Sequence, residues 1–209
     1  MPENYYAWTW GDALFVVLDV YRTEIFPGAT PADGSKPQNW DWTLGQSQYL
    51  WMRSVLEYSN ATHKFVFAHH SRGQGRGGIV WAPGFEWGGM QGNQYKFDQY
   101  RPGWGKPIQK VFEDTGVDIF FQGHDHIFCT QERDGLIYQS MPNPADDTFT
   151  IFNSDAYKTG TKAPNSGHVR VSVNSSAAKV EYFLAARPQD SDRKNLELAH
   201  SYRVLPRKS

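Results

Sequence analysis

VDIFFQGHDHIFC, residues 117–129, runs from an apolar stretch through a glycine to two histidines one residue apart. Val117, Ile119, Phe120 and Phe121 are β-branched and aromatic without interruption, the pattern of a strand buried on both faces, most often a parallel one flanked by helices. In open sheets of that kind ligands bind beyond the carboxyl ends of the strands, so the end of this strand is where a site belongs. Gly123 is expected to turn the backbone sharply there. His124 and His126 then project from one tight loop. Imidazole is the commonest side-chain metal ligand, and two of them at i and i+2 can reach one ion or two adjacent ones. Asp125 between them either sets a tautomer or merely solvates the loop. The plainer reading, surface histidines in a turn, stands beside this one.

A second strand-like run, Lys64 to Ala68 (KFVFA), also ends in histidines, His69 and His70. Two buried strands that each terminate in histidine suggest convergence on one crevice. At these residues the chain resembles the calcineurin-like metallophosphoesterases, and within them the purple acid phosphatase and PhoD-type branches. Gly123-His124-Asp125-His126 is similar to the family's G-H-x-H motif, and Phe65 to His70 to its strand-then-His motif. Tyr6 to Asp19 (YAWTWGDALFVVLD) and Leu44 to Leu56 (LGQSQYLWMRSVL) are similar to its paired strands ending in L-D and its L-x-x-x-Q-x-x-W-L helix. Together they cover roughly residues 5 to 185.

The resemblance implies an α/β fold, the C-terminal part of a four-layer αββα sandwich with mixed sheets, antiparallel in the back half. It implies hydrolysis of a phosphoric ester at a centre of two divalent or trivalent metal ions (Fe, Zn, Mn or Ca) held by seven ligands. By the same resemblance His69 and His124 bind one ion and His126 the other. The family's earlier motifs, D-x-H, G-D and G-N-H, are absent. Gly11-Asp12 reads as a hairpin turn, and Asn4 lacks the flanking Gly and His. The chain thus resembles the C-terminal half of a catalytic domain, with residues 1–186 as that part and 187–209 as an extension. Little or no phosphatase activity is expected of it alone. A phosphate ester is the implied substrate, an N-terminal half or a second copy the implied partner, and a periplasmic or secreted location the implied setting.

At 209 residues the chain is long enough to bury a substantial core. With 21 basic and 22 acidic residues it carries no charge excess that would favour nucleic acid or a membrane surface. No apolar run approaches the length of a membrane span, and no signal peptide precedes Tyr5. Cys129 is the one cysteine and reads as a buried inert thiol rather than a ligand.

Residues 5–10 and 13–20 read as a hairpin whose second strand is apolar on both faces, which predicts that both are covered, as in a sheet sandwiched between layers. Thr43 to Tyr58 reads as a helix with Leu44, Trp51, Val55 and Tyr58 on its apolar face and Met52 and Leu56 widening it. A second helix spans roughly Pro107 to Thr115. Hairpins follow around Arg133-Asp134-Gly135 and Asn174-Ser175-Ser176, with possible short strands at 149–152 and 198–204. His168 reads as the start of a strand rather than a site residue. Residues 71–105 hold ten glycines and two prolines among seven large aromatics, which precludes long regular elements. We expect from it a lid or wall beside the crevice. Arg72 and Arg76 lie nearest the His69 strand end and are candidates to grip a phosphate bidentately, against the alternative of solvated loop arginines.

Two other functions fit the sequence. One is a non-catalytic descendant that keeps the sheet and binds through the aromatic loop. The other is an aromatic-rich carbohydrate-binding module, which requires Trp81, Trp87 and Trp104 on a flat face away from His69 and His126.

Overall fold

The computed structural model describes residues 4–21, 39–71 and 75–207. Strands β1 (Tyr6–Trp10) and β2 (Ala13–Val17) form the expected hairpin, turned through Gly11 at φ 55°. Helix α1 (Gln46–Tyr58) carries the chain to β3 (His63–Ala68), which lies parallel to β2. Short pieces follow: α2 (Phe85–Gly88), β4 (Met90–Gln91), β5 (Gln94–Tyr95) and α3 (Phe97–Tyr100). Helix α4 (Ile108–Asp114) then leads into β6 (Ile119–Gln122), parallel to β3. Strands β7 (Phe128–Arg133) and β8 (Leu136–Ser140) form a hairpin with Asp134 and Gly135 in left-handed backbone, and β8 also runs parallel to β6. The remaining strands are β9 (Thr161–Ala163), β10 (Gly167–Asn174), β11 (Ala177–Leu184) and β12 (Leu198–Val204).

The larger sheet has seven strands in the order β1-β2-β3-β6-β8-β7-β9, and β10-β11-β12 make a second, antiparallel sheet. Alternation along the strands assigns the two faces. Leu14, Val16, Val66, Phe120 and Tyr138 point to the helical side, where they pack with Met52 and Leu56 of α1 and Val111 and Phe112 of α4. Ala13, Phe65, Ile119 and Phe121 point the other way, onto Ala178, Val180 and Val204 of the second sheet. Full burial of each such side chain contributes about 1.5–3 kcal/mol, so both faces of β6 are fixed by packing. The described layers are thus helices, mixed sheet and antiparallel sheet.

Several expectations are corrected. Helix α1 begins at Gln46 rather than Thr43, because the Thr43 hydroxyl and the Leu44 amide are both taken by the Glu86 carboxylate, at 2.6 and 2.8 Å. Its buried face is Gln48, Tyr49, Met52 and Leu56, whereas Tyr58 is 83% exposed. Gln48 earns that place by hydrogen bonds to the backbone of Asp19 and Leu44, a role its polarity conceals. Residues 149–152 form no strand, while β9 pairs with β7 unforeseen. The hairpin is not covered on both faces: Tyr6, Trp8 and Trp10 of edge strand β1 share one face and are exposed.

Part of the glycine-rich stretch fills the core, while Arg76 and Gly77 lie against the imidazole turn. The Trp87 indole donates to the Tyr138 hydroxyl at 3.0 Å, Trp104 stacks on Tyr49 at 4.3 Å, and Phe97 is buried beside them. A buried Arg101–Glu86 ion pair braces this layer, with the guanidinium also donating to the Trp40 carbonyl at 2.6 Å. Burial of Trp87 and Trp104 removes the flat tryptophan face that a carbohydrate-binding module would need. His168 lies in β10 with its ring stacked on Phe183, as expected of a strand residue. Beyond β12, the Arg207 guanidinium donates to the Val117 carbonyl at 3.0 Å.

Candidate functional site

Because β3 and β6 are parallel neighbours, their carboxyl ends lie at the same edge of the sheet. One more ladder-like bond, Gly123 N–H to the His69 carbonyl at 2.9 Å, extends the pairing past the strands. It brings the two histidine-bearing turns together: His69 Nε2 is 3.2 Å from His124 Nδ1. The His70 ring lies 5.0 Å from each of theirs, and the Tyr21 ring stands 5.3 Å from His69 and 5.2 Å from His70. His126 projects from the same turn, exposed, with its ring 6.3 Å from Phe152. Burial holds the His69 imidazole below its ordinary pKa, and the neighbouring His124 and His126 deepen the depression against the pull of Asp125.

The sharp bend is made by the histidines. His124 and His126 adopt left-handed backbone, φ 71° and 51°. Gly123 has no left-handed φ, and a Cβ there would meet the His69 ring at 3.6 Å, an ordinary contact, so the expected glycine turn is not what bends the chain. Non-glycine residues in this region store strain of about 1–3 kcal/mol each and persist only where the surroundings hold them. Here the surroundings do. Asn165 Nδ2 donates to the His126 carbonyl at 2.6 Å, and Asn153 Nδ2 to the Asp125 carbonyl at 3.0 Å. Asp125 neither solvates the loop nor reaches a ring nitrogen; it is 2% exposed and turns inward, where Tyr157 OH and Gly77 N–H donate to its Oδ2 at 2.7 and 3.1 Å.

Arg76 sits at this edge, half-exposed, with Nε 3.8 Å from Asp125 Oδ1 and Nη1 donating to Asn153 Oδ1. Arg72 lies outside the described residues. Cys129 is buried with its thiol pushed up to about 12 by desolvation, which keeps it protonated and inert. Sequence reasoning named His70 at the strand end without giving it a role, and missed Tyr21, Tyr157 and Asn153 as neighbours of the cluster, none of which carried a local signal.

The donor set fits a metal only in part. Two nitrogens about 2.05 Å from one ion and 3.2 Å apart subtend about 103° at it, near tetrahedral, so His69 and His124 suit adjacent positions on one ion. Among the described residues, however, no group of three or more His, Cys, Asp or Glu side chains is arranged to hold a metal ion. The one carboxylate of the turn, Asp125, is committed inward. A dinuclear centre does not fit the described residues as they stand.

Solved structures share the architecture. A purple acid phosphatase, PPD1 from yellow lupin (Lupinus luteus) seeds, superimposes with TM-score 0.51 at 15% identity, over 96% of this chain and 32% of that one. PhoD superimposes with TM-score 0.54 at 15% identity, over 97% of this chain and 42% of that one. The fold is that of the calcineurin-like metallophosphoesterases. GAP50, the anchor in the inner membrane complex of Plasmodium, also matches, with TM-score 0.52 at 12% identity over 100% of this chain and 56% of that one. The chain therefore spans between about a third and just over half of the length of these proteins. No family model and no curated protein matches the sequence. Among the described residues no helix is long and apolar enough to cross a membrane.

Proposed function

We propose that this chain supplies the imidazole part of a metal-dependent phosphoric-ester hydrolase site, His69 and His124 serving one ion and His126 a second. The observation that carries the reading is the 3.2 Å approach of His69 Nε2 to His124 Nδ1 at the carboxyl ends of two parallel strands, within a metallophosphoesterase fold. Metal ions in such hydrolysis activate a bound water and neutralise phosphoryl charge. Neutral imidazoles cannot compensate the charge of the ions, so the carboxylate ligands must come from another polypeptide segment or a second chain. Arg76, 3.8 Å from Asp125 on the same turn, is assigned the grip on the phosphoryl group, since its guanidinium fork suits bidentate contact. Arg72 is assigned the same role from its sequence position.

The reading is tested in an assembly complemented with the missing ligands. His69→Ala and His124→Ala are each expected to abolish turnover of an aryl phosphate. Full activity in either variant contradicts the assignment.

A second reading has its own support: GAP50, the anchor in the inner membrane complex of Plasmodium, shares the fold. It makes the chain a non-catalytic binding protein. It requires that the complemented assembly hydrolyse no phosphate ester under any of zinc, manganese, iron or calcium.

A further inference from the structure

Three stretches of chain meet beneath the imidazole turn, and one side chain joins them all. Asp125 lies on the 123–127 turn; its Oδ2 accepts from Gly77 N–H of the 75–81 segment and from the Tyr157 hydroxyl. Arg76 and Asn153 close the loop, since Arg76 donates to the Asn153 side chain and Asn153 donates to the Asp125 carbonyl. We propose that Asp125 is the positioning residue of the site: its buried carboxylate, gripped by Tyr157 and Gly77, locks the strained His124–His126 turn and ties Arg76 to it.

The polarity of the buried chain supports this. Gln122 Nε2 donates to Ser140 Oγ at 2.9 Å, Ser140 Oγ is 2.8 Å from Tyr157 OH, and Tyr157 donates to Asp125 at 2.7 Å. The Tyr157 proton is committed to the carboxylate, so Ser140 must donate to Tyr157. Every proton then points the same way, from the end of β6 toward Asp125, and each bond polarises the next. Burial raises the Tyr157 phenol far above its ordinary value, and Asp125 raises it further, which keeps the donor in place. The fit leaves no room for larger residues. A Cβ on Gly77, at φ 102°, would stand 2.6 Å from the Ala156 carbonyl oxygen, and one on Gly78 would strike the Gln131 side chain. Gly77 is therefore explained by close approach to the Tyr157 segment, and Gly78 by close approach to Gln131 of β7. Asp125 Oδ1 has no hydrogen-bond partner among the described residues and faces Arg76 Nε at 3.8 Å, long for a hydrogen bond but within ion-pair range.

The role presupposes that the imidazole cluster is the working site, but its test reads ring geometry in metal-free protein. Long-range proton–nitrogen spectra follow the ring nitrogens of the histidines, and amide exchange follows the backbone of the turn. Tyr157→Phe keeps the ring and removes only the hydroxyl; Asp125→Asn keeps the shape and removes the charge. Both are expected to shift or broaden the His69, His124 and His126 ring signals. Amides 123–127 should exchange about tenfold faster, the cost of losing one bond to a buried charged group. Asp125→Asn gives the larger change. Tyr138→Phe is the control, since Tyr138 is a buried tyrosine bonded to Trp87 and Gln109 on the helical side. It should lower the Tm while leaving the cluster's ring signals unmoved. If Tyr157→Phe and Asp125→Asn behave as Tyr138→Phe does, Asp125 is only a stability residue and the proposal is overturned. Should Asp125→Asn not fold, Tyr157→Phe alone decides. Zinc titration of the assembly complemented with the missing ligands separates the two ideas: ring signals indifferent to zinc there contradict the metal reading, while the geometry read in metal-free protein still decides the positioning role.

Discussion

His63 and His69 stand at the two ends of strand β3, and they are opposites. His63 opens the strand fully buried, with Nδ1 3.0 Å from Asp118 Oδ2 and Nε2 donating to the Asn174 carbonyl at 3.1 Å. Asp118 is saturated in turn, by the amides of Lys64 and Arg207, so the cluster clamps β3, β6, the second sheet and the C-terminal tail together. His69 follows the strand exposed, next to other imidazoles, with its protonated form disfavoured rather than matched by a carboxylate. One residue type thus has both ring nitrogens engaged at one end of the strand and joins a cluster of imidazoles at the other. What separates the two is how completely the neighbours satisfy the ring.

The largest effect should come from breaking the saturated end. His63→Ala removes a fully buried ring together with its bonds to Asp118 and the Asn174 carbonyl, and truncating a buried ring to alanine costs about 3–5 kcal/mol. Denaturant unfolding would measure it, and a loss below about 1 kcal/mol would undo the contrast. Gly78→Ala should come next. The residue has φ 63° and its added methyl meets Gln131, so a loss of about 1–3 kcal/mol is expected by the same method. A stability change near zero would show that the 75–81 segment is free to move away from the imidazole turn. His69→Ala should be the mildest, within about 0.5 kcal/mol of wild type, because no buried group loses its partner. A loss comparable to that of His63→Ala would make His69 structural as well.

Alkaline titration sharpens the structural side of the comparison. Burial pushes the Tyr182 phenol up to about 12. A raised folded value means that the group contributes fully below its ordinary value near 10 and that this contribution is lost as pH rises through about 12. Tyr182 absorbance at 295 nm should therefore change only together with unfolding, and phenolate formation in folded protein near pH 10 would contradict its burial.

The sequence revealed what depends on contiguous pattern. The apolar runs before His69 and His124 predicted two neighbouring strands, and a helix before each predicted that they run parallel. Edge placement of the histidines followed from that. The supports of the site were hidden because they are distant in sequence: Tyr157 lies 32 residues from Asp125, and Gly77 lies 48 away. Asp125 itself looked like a polar loop residue, since nothing local tells an inward carboxylate from an outward one. In the same way Trp87 and Trp104 looked like surface aromatics of a glycine-rich loop, whereas the space between α1, α4 and the sheet needed filling. Gln48 is buried because its amide serves the backbone of Asp19 and Leu44, a partnership that its residue type does not announce.

Elemental analysis of the purified 209-residue chain, coupled to an aryl phosphate assay, tests the central claim most directly. The account expects no more than one ion per chain, lost in His69→Ala, and no turnover. Two tightly held ions with steady turnover would contradict it, because the carboxylates it assigns elsewhere would then have to lie within this chain.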